Sequence, residues 1–443
     1  MREMKDSGIE WIGQIPKDWS VSRIKYIADI FGRIGFRGYT KADLVDEGEG
    51  AISLSPSNIN DMDMSYEKCS YISWKKYYES PEIMVKEGDV IFVKTGSSFG
   101  KSSFVSDLPM KSTINPQLII FKNIKINSKL FAYYIATKYI RAMSDLVVVG
   151  GTIPTMSQEK IKNFPVLIPP NVSQSLIAKF LNDFSLNIDA TAEDIQKEIS
   201  LLEDYKKSVI TEAVTKGLNP DVEMKDSGSE WIGEIPKDWK VIKTKYVADI
   251  SIGLVTTMTA NYVDNLDDGV YLIRNGDIRL NKISKEKMVY ISRKFVEQNA
   301  SRQLLENDIV TVHTGYIGTS AIIKDDFIGS VGFATIQSRP NLNIINERFL
   351  CWFYNSSFFI KQCMLHNTGD GRQNLNLYDF VDFYVYQPPL EEQQQIADYL
   401  DSKCSEIDTL IADKKRQLDI LAEYKKSLIY EYVTGKKEVP VNE

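Results

Sequence analysis

The sequence predicts an α+β protein in which two globular domains are separated by two long helices, packed as an antiparallel coiled coil with internal pseudo-two-fold symmetry. Three observations predict this fold. The chain of 443 residues repeats itself, two acidic segments carry a heptad pattern, and the stretches between them mix short β-rich runs with one helical stretch each. With 43% hydrophobic and 26% charged residues, the chain can bury several cores.

The internal repeat covers both ends of each half. Residues 3–30 and 223–250 are identical at 21 of 28 positions, at an offset of 220. At an offset of 219, the sequences Pro-Pro, Ile-Asp and Tyr-Lys-Lys-Ser recur from residues 169, 188 and 205 at residues 388, 407 and 424. Between these matches the halves have diverged, although Thr95-Gly96 still recurs as Thr314-Gly315. Two copies of one unit are expected to be related by an approximate two-fold axis.

The acidic segments are predicted to be helices that pair with each other. In each, apolar residues recur every seven residues with others between them, which is the seam of a coiled coil. Lys414 interrupts the second seam, and we interpret it as fixing the register. An antiparallel pairing is the natural closed arrangement, with the domains at opposite ends of a spacer. The predicted seam residues are Leu181, Ile188, Ile195, Ile199, Leu202, Val209, Leu400, Ile407, Ile411, Leu418, Leu421 and Leu428.

Residues typical of helix starts and ends set the predicted boundaries. A Pro-Pro pair precedes each helix, acidic residues open the second helix, and Gly217 with Pro220 closes the first. The predicted parts are a repeated N-terminal segment (1–19), a first domain (20–170), a central helical spacer (171–217), a linker repeating the N-terminal segment (218–239), a second domain (240–389), a C-terminal helical spacer (390–436) and a tail (437–443).

Each domain is predicted to combine strands with one helix. The β-rich runs include residues 90–93, 117–121 and 308–312, and the helical stretches are residues 128–143 and 346–364. Aromatic residues such as Phe131 and Trp352 on these stretches are interpreted as core.

The charge is unevenly distributed along the chain. The net charge is −7, yet residues 17–170 hold 20 basic against 16 acidic residues, and residues 237–390 hold 17 against 16. The acid is concentrated in the helical segments, as solvated faces or as surfaces that avoid DNA. No apolar stretch is long enough for a membrane span and the N-terminus lacks a signal-peptide core, which predicts a cytoplasmic protein.

Several catalytic classes lack their motifs. Four scattered cysteines and two histidines predict neither a disulfide framework nor a metal site, and leave little material for histidine acid–base chemistry. Residues 95–102 resemble a phosphate-binding loop, but the glycine spacing is one residue short, which favours a turn between strands. The sequence contains neither Asn-Pro-Pro-aromatic nor Asp-Pro-Pro-aromatic, the tetrapeptides with which aminomethyltransferases hold a flipped base. The sequence therefore predicts no catalytic residue.

Polar and basic residues in loops of both domains remain as candidates for contacting DNA. Arg, Asn and Gln can read guanine and adenine bidentately in the major groove, and lysines and hydroxyl groups contact phosphates. The candidates are Ser55, Ser57, Asn58, Lys75, Lys76, Lys94, Ser97, Ser98 and Lys101 in the first domain, and Arg274, Asn275, Asp277, Arg279, Arg293, Lys294, His313, Tyr316, Arg372, Gln373 and Asn374 in the second.

These features together resemble the specificity subunit of type I restriction–modification systems. The resemblance rests on W-I-G-x-I-P-x-D-W at residues 11–19 and 231–239, on the Pro-Pro helices ending in Y-K-K-S, and on the two diverged domains. It implies that each domain is a target recognition domain for one half of a split DNA sequence. It also implies helices that form a spacer and dock two methyltransferase subunits and, through them, two motor–nuclease subunits.

The resemblance further implies a non-catalytic chain that binds no cofactor, whose partner subunits use S-adenosylmethionine, ATP and magnesium. Two alternatives stay open at this point. A protein-binding scaffold with duplicated domains would show no DNA sequence preference, and a self-contained nuclease or methyltransferase would be active without partners.

Overall fold

The computed structural model describes residues 2–33, 38–147, 155–228, 233–255, 258–367 and 373–440. The chain divides into two compact units. The first unit consists of Met1–Ile195 with Arg416–Glu443, and the second unit is Gln196–Lys415. Each unit therefore contains one domain together with part of each long helix.

The first unit is built on two principal sheets: Ser102–Phe104 (β12), Val90–Val93 (β11), Leu118–Lys122 (β14) and Asp29–Gly32 (β4) form one in this order, and Met84–Val85 (β10), Ser112–Ile114 (β13), Gly50–Leu54 (β6), Ser70–Ser73 (β9) and Leu44–Val45 (β5) form the other. Among the described strands of the first unit only β6 and β13 pair in parallel, with Ile114 opposite Leu54. The strands are β1 Met4–Asp6, β2 Gln14–Pro16, β3 Ser20–Arg23, β4 Asp29–Gly32, β5 Leu44–Val45, β6 Gly50–Leu54, β7 Ile59–Asn60, β8 Asp63–Met64, β9 Ser70–Ser73, β10 Met84–Val85, β11 Val90–Val93, β12 Ser102–Phe104, β13 Ser112–Ile114, β14 Leu118–Lys122 and β15 Pro165–Ile168. The helices are α1 Ile24–Ile27, α2 Trp74–Tyr78, α3 Ser128–Ile135, α4 Lys138–Val147 and α5 Gln158–Ile161.

The second unit has corresponding sheets: Ser320–Ile322 (β26), Ile309–Val312 (β25), Thr335–Pro340 (β28) and Ala248–Ile252 (β19) form one, and Tyr262–Val263 (β20), Val289–Ser292 (β24), Gly269–Arg274 (β21) and Val331–Phe333 (β27) form the other. In the described part of the second unit no strand corresponds to β10, and a single bridge between Gln303 and Val331 stands in its place. Its strands are β16 Met224–Asp226, β17 Glu234–Pro236, β18 Lys240–Lys243, β19 Ala248–Ile252, β20 Tyr262–Val263, β21 Gly269–Arg274, β22 Ile278–Arg279, β23 Lys282–Ile283, β24 Val289–Ser292, β25 Ile309–Val312, β26 Ser320–Ile322, β27 Val331–Phe333, β28 Thr335–Pro340 and β29 Tyr384–Gln387. Its helices are α7 Thr244–Val247, α8 Arg293–Gln298, α9 Glu347–Tyr354, α10 Ser357–Leu365 and α11 Leu377–Phe380. The predicted α+β class is confirmed, and apart from β10 the two diverged domains share one strand order.

The prediction of one helix per domain was wrong, because each predicted helix is broken into two. The break falls at Thr137 in the first unit and at Ser356 in the second, an offset of 219. The Ser356 hydroxyl donates to the Phe353 carbonyl at 2.6 Å and accepts from the Phe359 N–H at 3.2 Å. A hydroxyl that satisfies both ends in this way ends one helix and caps the next. The aromatic residues on these helices are buried, as predicted.

The long helices are α6, Asn171–Lys216, and α12, Leu390–Val433. Gly217 ends α6 with a φ of +80°, a conformation that favours glycine at a helix C-terminus. Glu392, in the first turn of α12, accepts a hydrogen bond from the buried Trp239 indole at 3.0 Å. Trp239, the last residue of the second repeat, is therefore anchored to the start of a long helix, where a carboxylate is also favoured by the helix dipole.

The two long helices run antiparallel within each unit, as predicted. In the first unit Phe180 packs on Tyr432 and Phe184 on Tyr424, with ring centroids 4.6 and 5.6 Å apart. In the second unit the Lys414 ammonium lies 2.5 Å from Glu198. Lys414, predicted to fix the register, is thus an ion-paired seam residue. Ile188, Leu202, Leu418 and Leu421 are half-buried, and the other predicted seam residues are buried.

Two lysines of the repeated Tyr-Lys-Lys-Ser sequence also belong to the seam, which the apolar pattern did not predict. In the second unit Lys206 contacts both carboxylate oxygens of Asp408 at 2.7 Å. In the first unit Lys425 contacts both oxygens of Asp189 at 2.7 Å. Because Lys206 and Lys425, and Asp189 and Asp408, are equivalent at an offset of 219, each copy of the repeat supplies the lysine for one pair and the aspartate for the other. This reciprocal pairing is what a self-complementary interface produces.

No described helix is both long and apolar enough to cross a membrane. All four cysteines are free thiols. Among the described residues no group of three or more His, Cys, Asp or Glu side chains is placed to hold a metal ion.

Candidate nucleic-acid interface

In the second unit, three loops converge where β25 ends. The backbone N–H of His313, the residue after β25, donates to the Asn275 side-chain oxygen at 2.9 Å. The Asn275 amide in turn donates to the Ala334 carbonyl at 3.0 Å. On the other side, the Leu375 N–H donates to the His313 carbonyl at 2.9 Å. Candidates that are far apart in sequence are therefore brought together around His313.

The glycine turn after His313 completes this cluster. The Thr314 hydroxyl donates to the Asn374 side-chain oxygen at 3.2 Å, and the Gly315 N–H donates to the Gln373 carbonyl at 3.0 Å. Gly315 has a φ of +104°, which an L side chain rarely adopts, and the following Tyr316 is 89% exposed. An exposed tyrosine on a rigid turn can contact either phosphate or base.

The first unit shares part of this arrangement around Lys94, the residue after β11, whose N–H donates to a backbone carbonyl and not to a side chain as at His313. The Met156 N–H donates to the Lys94 carbonyl at 3.0 Å, and the Lys94 N–H donates to the Gln117 carbonyl at 2.9 Å. Residues 95–101 form a turn between the antiparallel strands β11 and β12, so the predicted turn is confirmed. Ser97 is exposed and Ser98 and Lys101 are partly exposed on this turn. Burial lowers the pKa of Lys94, as it does that of His313 in the equivalent position.

The structure corrects the interpretation of two candidates, Asn58 and Asp277, which are only 2% and 4% exposed. The Asn58 side chain accepts from the Ser55 N–H at 2.9 Å and donates to the Ser65 carbonyl at 2.9 Å. The Asp277 carboxylate binds the Arg274 guanidinium through two contacts of 2.9 Å. Their polar atoms are thus used inside their own loops, and we assign both residues the role of shaping a loop rather than contacting DNA.

The remaining candidates lie on separate loops and helices. Ser55 and Ser57 share a hydroxyl hydrogen bond of 2.7 Å on the same loop as Asn58. The Arg279 guanidinium is bonded to the Gly276 carbonyl at 2.6 Å, and Arg293 to the Gly269 carbonyl at 2.9 Å. Lys75 and Lys76 lie on α2, and Arg293 and Lys294 lie on α8. Arg372 lies outside the described residues.

The residues that connect each domain to its long helix by hydrogen bonds were not predicted from the sequence. Gln174 and Gln393, equivalent at an offset of 219, accept from the N–H groups of Asn127 and Asn346 at 2.9 and 2.7 Å. Each glutamine also donates to the first proline carbonyl before its helix, at 2.9 and 2.8 Å. Their recurrence at the repeat offset was the signal that could have identified them.

A second set of contacts between domain and long helix involves polar side chains further along the same long helices. In the second unit Arg348 contacts Asp398 at 2.8 Å and also pairs with Asp401, which accepts from the Trp352 indole at 2.8 Å. In the first unit the equivalent contact joins Lys129 and Asn182. These contacts fix the domain helix against the long helix, so the position of the loops follows the position of the long helix.

Replacing Gln393 by leucine is expected to destabilise the second unit by about 2 kcal/mol. The leucine fills similar space but leaves the Asn346 N–H and the Pro388 carbonyl without partners, and Gln393 is fully buried. Denaturant unfolding of the full chain measures the loss. Gln395→Leu, two residues away on the exposed face of the same helix, is the matched control and is expected to change the midpoint little. Equal effects of the two variants would contradict the assigned role.

The chain is similar in sequence to DNA specificity proteins of type I restriction systems. A family model described as the type I restriction modification DNA specificity domain matches residues 16–201 and 236–419. The type I restriction enzyme MjaVIII specificity subunit of Methanocaldococcus jannaschii is 26% identical over 449 residues, covering 96% of this chain and 94% of that protein. The EcoBI specificity subunit of Escherichia coli is 24% identical over 279 residues, covering 61% of this chain and 57% of that protein.

Solved structures share the fold. A chain from a study of complex assembly and conformational transition in a type I R-M system superimposes with a TM-score of 0.70 at 14% identity, covering 96% of this chain and 99% of that chain. The HsdS subunit from Thermoanaerobacter tengcongensis superimposes with a TM-score of 0.50 at 14% identity, covering 96% and 98% of the two chains.

Proposed function

Because this chain belongs to the family of type I restriction–modification DNA specificity proteins, we propose that it selects the DNA sequence on which a restriction–modification complex acts. Each domain reads one half of a bipartite target in double-stranded DNA. The two long helices set the number of unread base pairs between the halves. The chain is not itself catalytic, and methylation and cleavage are carried out by partner subunits.

The observation that carries this proposal is the repeated loop cluster on a repeated scaffold. Apart from β10, both domains have the same strand order, and in each a lysine or a histidine, Lys94 or His313, follows β11 or β25 and precedes a Thr-Gly turn. The loops around these turns differ in sequence while the frame is kept. Two domains that share a frame but not loop residues are suited to reading two different short sequences.

The outer faces of the long helices support the docking of two copies of one partner. Leu201 and Ile420 are equivalent at an offset of 219 and are 68% and 60% exposed. Tyr205, one turn further along its helix, is 49% exposed, and its equivalent Tyr424, which also packs on Phe184 of the other helix, is 50% exposed. Exposed apolar residues that recur on equivalent surfaces are typical of sites for protein partners. We assign these two surfaces to two methyltransferase subunits, through which two restriction subunits join the complex.

The cofactors in this proposal belong to the partners. The methyltransferase subunits use S-adenosylmethionine and the motor–nuclease subunits use ATP and magnesium, whereas this chain holds none of them. The domains are only weakly basic, which suits a DNA-binding surface that they share with the partner subunits. The partner subunits then supply further contacts to the DNA phosphates.

The test is to assemble the chain with its methyltransferase partners and to map the methylated adenines in random-sequence DNA. We expect a single bipartite motif with a fixed gap. The isolated chain serves as the control in a gel shift, and we expect it to bind DNA weakly and to lose binding as salt rises. Binding without any sequence preference by the assembled complex would favour the alternative of a protein-binding scaffold, and methylation by the chain alone would contradict the assignment of catalysis to the partners.

A further inference from the structure

We propose that the residue following the central strand of each domain, Lys94 in the first and His313 in the second, contacts a base edge, and that His313 does so as a hydrogen-bond acceptor. This inference rests on the proposed function, because it names residues with which the domains read DNA. It goes further by assigning the hydrogen-bonding chemistry, and hence the class of base, at one position of each half of the target.

The two residues occupy one structural position. Lys94 and His313 are equivalent at an offset of 219, and each directly follows the central strand, β11 or β25. Each carbonyl accepts a backbone hydrogen bond from a segment that crosses the glycine turn, from Met156 at 3.0 Å and from Leu375 at 2.9 Å. Both side chains are half-buried, at the centre of the converging loops. The backbone N–H and carbonyl of each residue are hydrogen-bonded within the protein. The side chain is therefore the part of this position that differs between the two domains.

The hydrogen bonds around His313 determine which ring nitrogen carries the proton. The Thr314 hydroxyl donates its only hydrogen to the Asn374 side-chain oxygen at 3.2 Å. The same hydroxyl oxygen lies 2.9 Å from His313 Nδ1, and because its hydrogen is directed to Asn374, we assign the oxygen as the acceptor and Nδ1 as the donor of this contact. In a neutral imidazole the other nitrogen, Nε2, then has a free lone pair.

The imidazole is neutral at pH 7 because burial lowers the pKa of His313 below the ordinary value of 6.5. Nε2 is therefore an acceptor, and it requires a donor on the DNA. In the major groove the donors on base edges are the amino groups N6 of adenine and N4 of cytosine, whereas guanine offers only acceptors there. His313 is thus suited to adenine or cytosine and unsuited to guanine.

Lys94 has the opposite chemistry in the first domain. Its ammonium can only donate, and within the described part of the chain no hydrogen-bond or ion-pair partner of this ammonium is recorded. A half-buried cation without a partner is unfavourable in the free protein, and a base acceptor would satisfy it. Guanine O6 and N7 are the acceptors that lysine reads in the major groove. The first half of the target should therefore contain a guanine at the position that Lys94 reads.

The test is to exchange the two side chains and to map the methylated motif of each assembled variant. His313→Lys should change one base pair of the second half from adenine or cytosine to guanine and leave the first half unchanged, and Lys94→His should do the converse. His313→Ala should lower discrimination at that base pair by about tenfold. The matched control is His366→Lys, which adds the same charge at the other histidine of the same unit and should leave the motif unchanged.

The outcomes separate this inference from the proposed function. A wild-type bipartite motif that stays the same in both exchange variants would overturn the inference and keep the proposed function. Absence of any bipartite motif in the wild type would overturn both. If an exchange variant does not fold, nitrogen NMR of the wild-type chain decides, since only two histidines need to be assigned. A hydrogen on Nε2 rather than Nδ1 of His313 at pH 7 would contradict the proposed acceptor.

Discussion

Inserting four residues into both long helices is expected to lengthen the unread gap of the target by one to two base pairs, with both half-sequences unchanged. The insertions go between Glu198 and Ile199 in α6 and between Asp413 and Lys414 in α12, beside one ion pair of the seam. Four helical residues add about 6 Å and a rotation of about 40°. A base pair adds about 3.4 Å and roughly 35°, so the length favours two pairs and the rotation favours one.

The matched control for the insertions is the same four residues in α6 alone. In that variant the seam is shifted on one side only, so Lys206 can no longer meet Asp408 while the Glu198–Lys414 pair is kept. We expect the single insertion to weaken the recognition of any bipartite target. Methylation mapping of the assembled complexes measures both variants. An unchanged gap in the double insertion would show that the helices do not set the distance.

Reversing the charge of Lys206 is expected to destabilise the chain by about 3 kcal/mol, and the reciprocal change at Asp408 is expected to restore most of the loss. Lys206 is 13% exposed, so a glutamate there would face the Asp408 carboxylate in a largely buried seam. Lys206→Glu, Asp408→Lys and the double variant form a double-mutant cycle, measured by denaturant unfolding. The loss should be smaller than for a fully buried pair, because Asp408 is 59% exposed.

The neighbouring lysine gives the control for this cycle. Lys207 belongs to the same Tyr-Lys-Lys-Ser sequence, but it is 62% exposed and its ion pair is with Asp204 on its own helix. Lys207→Glu should therefore change the stability by no more than about 0.5 kcal/mol. The equivalent cycle of Lys425 with Asp189 in the first unit should reproduce the result of the first cycle. A cost at Lys206 no larger than that at Lys207, or no rescue by Asp408→Lys, would disprove the role of the reciprocal pairs.

The sequence predicted the parts of the fold that depend on local periodicity. Apolar residues at heptad spacing predicted both long helices, and the glycine turn after β11 was identified from its spacing. The same method missed Lys206 and Lys425, because a search for an apolar seam passes over lysines. It also joined each pair of domain helices into one, since the break at Ser356 depends on how a single hydroxyl is hydrogen-bonded.

The candidate site was predicted less completely, for a related reason. Asn275, His313 and Asn374 were named as candidates, but nothing local indicates that their backbones and side chains meet. Asn58 and Asp277 have residue types suited to contacting DNA, yet their polar atoms are consumed within their loops. Whether a polar side chain faces outward depends on its partners, which are distant in sequence.

By itself, the sequence determined the duplication, the pairing of its two helices and the family resemblance, because repeats and hydrophobic periodicity are written along the chain. Only the tertiary structure decided which polar residues fasten the domains to the helices and which remain available for a ligand. Gln393 is bound inside the protein, whereas Tyr316 is exposed on its turn. The difference arises because hydrogen bonds of buried side chains join residues that folding, and not the order of the sequence, brings together.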